Sequence, residues 1–440
     1  MMNDYEAAKN FIGFVQESPS PFHAIENIKT ELTENGFTEL YETAEWNIET
    51  GKNYFVARNN SSVIAFTVPE KEFGSFRIVA SHSDSPCFKL KPIFEEKAVG
   101  SAYLRFNVEK YGGMIMSSWL DRPLSIAGRV ICRTENGLVE KNVYIDRDCV
   151  LIPNMPIHFN REVNTGYNFN PQVDMLPIYG YGEDTGKLYD EIANLCGMDV
   201  NDIVDADLFL CSRVPGSVWG ARNQFFSAGH IDDLECAWVS LKAYLDAKKA
   251  DNHSNVFCVF DNEEVGSNSK QGADSDFLFN TLTRLCSALG KTADDVCRMI
   301  SCSFMASADN AHAVHPNHPE KFDAQNRTYM NKGIVIKHNA AQKYTTDAVA
   351  SAVFAQICKK ADVPVQHFSN RSDLMGGSTL GNIANTHVSM NTVDIGLPQL
   401  AMHSSYETAG TADIVYAVKG LTCFYDSEIS FENGRNIVID

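Results

Sequence analysis

Positive charge is scarce in this 440-residue chain: 37 lysines and arginines stand against 56 aspartates and glutamates, a formal net charge of −19. Like charges repel, which argues against nucleic acid or an anionic membrane surface as a partner. An acidic substrate would need a local cation to hold it. No apolar run approaches the length needed to span a bilayer. Met1-Met-Asn-Asp-Tyr-Glu-Ala-Ala reads as the start of an amphipathic helix, so a basic-plus-apolar leader is not expected. The 12 cysteines include no C-x-x-C pair, and several (Cys236, Cys258, Cys358) lie in apolar segments. That is the usage of small buried hydrophobes in a reduced cytoplasm, and a cytoplasmic location is the expectation. There is no internal repeat and no low-complexity tract.

Apolar residues make up 44% of the chain, enough for well-buried cores, and its length favours two domains over one. The N-terminal part has helical periodicity, with Ala8, Phe11, Ile12 and Val15 on one face. Ser20 then reads as an N-cap with Pro21 at the first helical position, leading into Ala24, Ile25, Ile28 and Leu32. Short β-like runs follow at 53–57, 62–67 and 76–80. From about 94 to 223 strand patterns dominate, with a hairpin signal at Glu135-Asn-Gly137 and a helix signal over 188–196. From 224 strands and helices alternate again: a helical stripe from Leu234 to Leu245, a strand at 256–260, and a second stripe from Ala348 to Ile357. Such alternation predicts an α/β fold, a parallel or mixed sheet covered by helices. The expected organisation is residues 1–93 and 224–440 as two parts of one α/β domain, with a β-rich domain, 94–223, inserted between them.

Ligands in open α/β sheets gather where the carboxyl ends of strands meet loops. Residues 76–80 lead into Ser81-His-Ser-Asp-Ser-Pro86, and 256–260 into Asp261-Asn-Glu-Glu264. Residues 299–305 lead into Ala306-Ser-Ala-Asp-Asn-Ala-His312, and Leu400-Ala-Met-His403 precedes Ser404-Ser-Tyr-Glu407. Asp232-Asp233 opens the helical stripe at 234. Each alone has an ordinary explanation. An acid ahead of a helix is usually a cap, and Asp232-x-x-Glu235 fits a capping box in spirit. A lone histidine is usually structural, and tandem glutamates usually sit on a solvated loop.

Their shared placement at element edges favours a two-metal hydrolase centre. Zinc takes histidine nitrogen and carboxylate oxygen and leaves a position open in catalytic sites. Two such ions need a shared carboxylate, and a base that is not a ligand. Successive side chains diverge, so Glu264 could bind metal while Glu263 faces water and substrate. His82 and Asp84, two apart, could point the same way, with Asp84 accepting the free ring N–H of His82.

Ser18-Pro-Ser-Pro-Phe-His-Ala24, Ala80-Ser-His-Ser-Asp-Ser-Pro86, Asp261-Asn-Glu-Glu-Val-Gly-Ser267, Ser307-Ala-Asp-Asn-Ala-His-Ala-Val-His-Pro316 and Gln399-Leu-Ala-Met-His403 resemble the M18 metallo-aminopeptidases, the aspartyl aminopeptidase group. The resemblance runs in order over nearly the whole chain. It implies a co-catalytic zinc peptidase with an inserted β-rich dimerisation domain, dimers assembling into a dodecamer, and peptides as substrates. It further implies two zinc ions per subunit, with Mn or Co possible at one site. By resemblance His82 and Asp309 serve one ion, Glu264 and His403 the other, and Asp232 both. Asp84 matches the orienting carboxylate and Glu263 the general base. Lys337 and Tyr344 resemble pocket-lining positions, with Lys343 a competitor for Lys337. His312 is the best substrate contact among His312, His315 and His318, and His158 resembles a histidine that reaches a neighbouring subunit's site. The chain departs from the family pattern at Pro123, at His230 and over 370–378, which bears on the preference for Asp or Glu. Two other readings stand beside an aminopeptidase: a carboxypeptidase or N-acyl amino-acid deacylase with the same centre, and a non-catalytic oligomeric binding protein.

Overall fold

Strands His253–Phe260 and Ser75–His82 are buried along their whole length, so both of their faces need a covering layer. In the computed structural model, which describes residues 3–432 and 436–440, helices supply that cover on both sides. Phe257 and Val259 pack with helices Asp4–Gln16, Pro21–Glu34, Ile231–Asp246, Ala348–Lys360 and Thr411–Asp426. Val256, Cys258 and Phe260, facing the other way, pack with Phe277–Ala288, Ala293–Ser301 and Leu380–His387. The α/β reading of the sequence therefore holds, as a mixed sheet between two helical layers.

The sheet has nine strands in the order Thr38–Leu40, Asn53–Arg58, Ser62–Thr67, His253–Phe260, Ser75–His82, Phe304–Ala308, Asn391–Gly396, Ile334–His338 and Val365–Ser369. Its four central strands, from His253–Phe260 to Asn391–Gly396, are mutually parallel and end at one edge. Gly396 is required there. A Cβ on it would collide with the Asp309 carbonyl, so only glycine lets the loop carrying Asp309 lie against that strand.

Residues 87–212 contribute a separate antiparallel sheet of six strands, ordered Gly137–Tyr144, Leu124–Thr134, Ile203–Ser212, Cys87–Lys97, Tyr103–Tyr111 and Ile178–Tyr181. It has its own core around Phe88, Phe106, Trp119, Leu124 and Leu210. Its strand Cys87–Lys97 runs across position 94, where the sequence texture changes. The hairpin read at Glu135-Asn-Gly137 joins Leu124–Thr134 to Gly137–Tyr144. A third sheet gathers Ser217–Trp219, Phe225–Ala228, Glu407–Gly410, Pro398–Leu400 and Ala311–His312 from three distant parts of the chain.

Two cap readings need correction. Ser20 does precede the helix Pro21–Glu34, but its hydroxyl pairs with His23 Nδ1 at 2.7 Å instead of capping a backbone N–H. Asp232 makes no capping box. Its φ of −83° and ψ of 109° are not helical, and it turns inward with Asp233 and Glu235.

Candidate metal centre

The parallel strands deliver the acidic and imidazole side chains to one place. His82 closes the middle strand, Asp309 follows Phe304–Ala308, and Glu263 and Glu264 lie three and four residues past Phe260. Glu263–Val265 forms one turn of 3₁₀ helix between Asn262 and Gly266, both left-handed at φ 63° and 100°. Asp232 enters from the start of Ile231–Asp246, and His403 from the loop after Pro398–Leu400.

Both histidines are held to the main chain by Nδ1 and turn Nε2 toward carboxylates. His82 Nδ1 donates to the backbone carbonyl of Asp84 at 3.0 Å, closer than the Asp84 carboxylate at 3.3 Å. The ring N–H thus lies within reach of both the main-chain carbonyl and the carboxylate of Asp84. His403 Nδ1 donates to Gly113 O at 3.0 Å. Each Nε2 faces Asp232. His82 Nε2 is 3.7 Å from Asp232 Oδ1, and His403 Nε2 is 3.3 Å from Asp232 Oδ2 and 3.3 Å from Glu264 Oε1. One carboxylate therefore lies between two imidazoles and offers one oxygen to each.

The Asp84 carboxylate has further contacts. Its Oδ1 accepts the Glu263 N–H at 3.1 Å, and its Oδ2 accepts the Glu264 N–H at 3.2 Å and the Tyr111 hydroxyl at 2.7 Å. Asp233 Oδ2 accepts the His82 N–H at 3.1 Å. Glu407 accepts from the His403 N–H at 2.7 Å and the Asp232 N–H at 3.1 Å. Asp233, Glu407, Tyr111 and Gly113 were not assigned from the sequence. Tandem acids at 232–233 and the acid closing Ser404-Ser-Tyr-Glu407 were visible signals. A backbone carbonyl at Gly113 leaves none.

The donor set fits divalent metal. Donor atoms of His82, Asp232, Asp233 and Asp309 lie within 4.8 Å of one another, as do those of Asp232, Glu264 and His403 and those of His82, Glu263 and Glu264. Asp232 Oδ1 and Asp233 Oδ1 are buried with no hydrogen-bond partner, which a cation would supply. With protein groups alone, burial pushes Glu264 up to about 7 and Glu263 well above the usual carboxylate range. Burial works against a charged His403, yet hydrogen bonds to Asp232 and Glu264 raise it to about 11. Buried anions packed this closely are the arrangement a metal ion relieves.

A cavity of about 150 Å³ opens over these groups and is lined by His82, Asp232, Glu263, Glu264, Asp309 and His403. Lys337, Tyr344 and His312 line it too. Lys337 is only 3% exposed, with Nζ 3.5 Å from Asp309 Oδ1 and 5.6 Å from the centre of the Tyr344 ring. Burial alone would lower its pKa, but Asp309 and further anions hold it above the ordinary lysine value. Lys343 donates instead to Gly376 O at 3.4 Å and does not line the cavity. His318 pairs with Glu320 at 3.2 Å on the surface. His158 is exposed on the β-rich domain and is not among the lining residues. A larger groove, about 1430 Å³, runs between the outer helices but holds none of the groups that could bind metal.

A family model described as aminopeptidase I zinc metalloprotease (M18) matches residues 14–425. The chain is 46% identical to a probable M18 family aminopeptidase 2 from Clostridium acetobutylicum, over 97% of this chain and 100% of that one. It is 37% identical to aspartyl aminopeptidase 1 from Schizosaccharomyces pombe, over 98% of this chain and 97% of the other. Among solved structures it is similar to a chain of a cryo-EM structure of the Ape4 and Nbr1 complex, with a TM-score of 0.92 and 36% identity over 96% of this chain and 85% of that one. It is similar also to a chain of the S. cerevisiae mApe1 dodecamer, with a TM-score of 0.84 and 25% identity over 96% and 97% of the two chains.

Proposed function

The chain belongs to the M18 family of zinc metallo-aminopeptidases, and from that premise we propose that it removes an N-terminal Asp or Glu from peptides at a centre of two zinc ions. His82 and Asp309 would hold one ion, Glu264 and His403 the other, and Asp232 both, with Mn or Co able to take one site. The observation that carries this reading is Asp232, whose two oxygens address two different histidines. Bound zinc supplies a water of lowered pKa and a polarised scissile carbonyl.

The protein's own groups do the rest. Glu263 lines the cavity and accepts the proton of the attacking water, then returns it to the leaving amine. Asp84 holds the Glu263-Glu264 backbone through two N–H bonds and fixes where that proton is taken. Lys337 supplies the cation that an acidic side chain needs in a chain of net charge −19. The dodecameric mApe1 relative supports an oligomer; that it is built from dimers and that His158 reaches a neighbouring subunit's site are parts of the proposal.

A panel of Asp, Glu, Leu and Lys chromogenic substrates, with and without chelator, tests the reading. Asp and Glu should be cleaved fastest, chelator should abolish cleavage, and N-acetylation should block it. Turnover of the N-acetylated substrates would favour the deacylase reading instead, and bound zinc without hydrolysis of any substrate would favour a non-catalytic binding protein.

A further inference from the structure

The 3₁₀ turn that carries Glu263 and Glu264 has a left-handed residue on each side and no regular element to fix it. Its anchor is Asp84, which is buried and receives both N–H groups. Asp84 is held in turn from outside the nine-stranded sheet. Tyr111, the last residue of strand Tyr103–Tyr111 in the β-rich domain, donates its hydroxyl to Asp84 Oδ2 at 2.7 Å and accepts from Asn262 Nδ2 at 2.8 Å. Tyr111 thereby joins the anchor of the turn to the residue that begins it. Its ring packs edge-on against Phe209 of the same β-rich sheet, with centroids 5.8 Å apart.

The residues after Tyr111 continue along the centre. A Cβ on Gly112 would stand 3.2 Å from Glu264 Cβ and 3.3 Å from Pro86 Cβ, and the residue's φ is +77°. Gly113 O receives the His403 ring, and the Ile115 N–H donates to His403 O at 2.9 Å. One strand end of the β-rich domain therefore touches both the turn that carries Glu263 and the loop that carries His403.

We propose that Tyr111 is a positioning residue for the hydrolysis, acting through Asp84 to fix the turn that presents Glu263, so that the β-rich domain sets the aim of the catalytic base. This rests on Glu263 being the base. Tyr111→Phe tests it, because the ring and its packing on Phe209 remain while the hydroxyl is lost. A hydrogen bond to a charged acceptor, spent on alignment of a base, corresponds to about a tenfold fall in kcat. KM should stay within about twofold, zinc content should be unchanged, and the variant should remain fully folded at the assay temperature. In a Glu263→Gln background the same Tyr111→Phe change should cost nothing further, since the base it aims is gone. An unchanged kcat, an equal tenfold loss in both backgrounds, or a loss that tracks zinc content or the folded fraction would each overturn the proposal. Near-normal turnover by Glu263→Gln alone would instead overturn the assignment of the base, so the two failures are separable.

Discussion

Replacing Lys337 by methionine removes one positive charge from the cavity while nearly keeping the length of the side chain. The amine is buried, lies 3.5 Å from Asp309 Oδ1, and shares the cavity with the groups that would hold metal. Burial lowers its pKa, but Asp309 and neighbouring carboxylates hold it above the ordinary lysine value. A hydrogen bond to a charged partner contributes about 1.5–3 kcal/mol, or about 10–100-fold in kcat/KM at about 1.4 kcal/mol per tenfold. Removing Lys337 also alters the field at Asp309, and with it metal affinity, but that change is common to all substrates. The quantity to measure is therefore the ratio of kcat/KM for an Asp substrate to that for a Leu substrate, at saturating zinc. It should fall by about 10–100-fold in Lys337→Met. Lys343→Met should leave the ratio unchanged, since that amine bonds Gly376 O away from the cavity. A ratio within about twofold of wild type in Lys337→Met would refute acidic recognition by this lysine.

Glu263→Gln should lower kcat by about 10²–10⁴, the usual contribution of a general base, with full zinc content by elemental analysis. Loss of zinc in that variant would recast Glu263 as a ligand. Asp232→Asn removes the charge shared by His82 and His403, so dialysed protein should lose zinc from both positions together. Retention of one full equivalent would show that the sharing is wrong. His253 lies far from the centre, at the start of His253–Phe260, and donates Nε2–H to Tyr425 O at 2.8 Å. Burial lowers its pKa to about 4, so it stays neutral in the fold while the unfolded chain takes up a proton below about 6.5. Its contribution is full above that pH and is lost as pH falls toward 4, up to about 3 kcal/mol. The slope of Tm between pH 6.5 and 4 should be shallower in His253→Gln than in wild type. Parallel slopes would remove His253 as the cause.

The parts of the site legible in the sequence are those where a buried strand stops and charge begins. Cys258-Val-Phe260 is apolar on both faces and is followed at once by Asp261-Asn-Glu-Glu264. Such a junction has few explanations, because a strand end in a sheet covered on both sides is already inside the molecule. His82 and Asp309 were found on the same reasoning. Asp232 was harder. Two acids before an apolar helical stripe look like a cap, and only the backbone at φ −83° and ψ 109° reveals that the side chain turns inward. Its role came from motif resemblance, not from helix grammar.

What could not be read shares a different physical property: the partner is main chain, or the residue belongs to another sheet. Gly113 holds His403 through a carbonyl across 290 positions, and every residue has a carbonyl. Tyr111 ends a strand of alternating burial, where an aromatic residue is ordinary packing. Its hydroxyl gains meaning only once the six-stranded sheet is set against the nine-stranded one. Texture cut the chain near 94, so the strand end at 111 fell within the β-rich segment and the chemistry on either side of it. Yet Asp84, Asn262 and His403 all lean on residues 111–113. An inserted domain that supplied only an interface could drift by an ångström without consequence. One that grips the turn carrying Glu263 and Glu264 and a histidine at the same time cannot, because a misplacement of that size at a reacting group costs about 10²-fold.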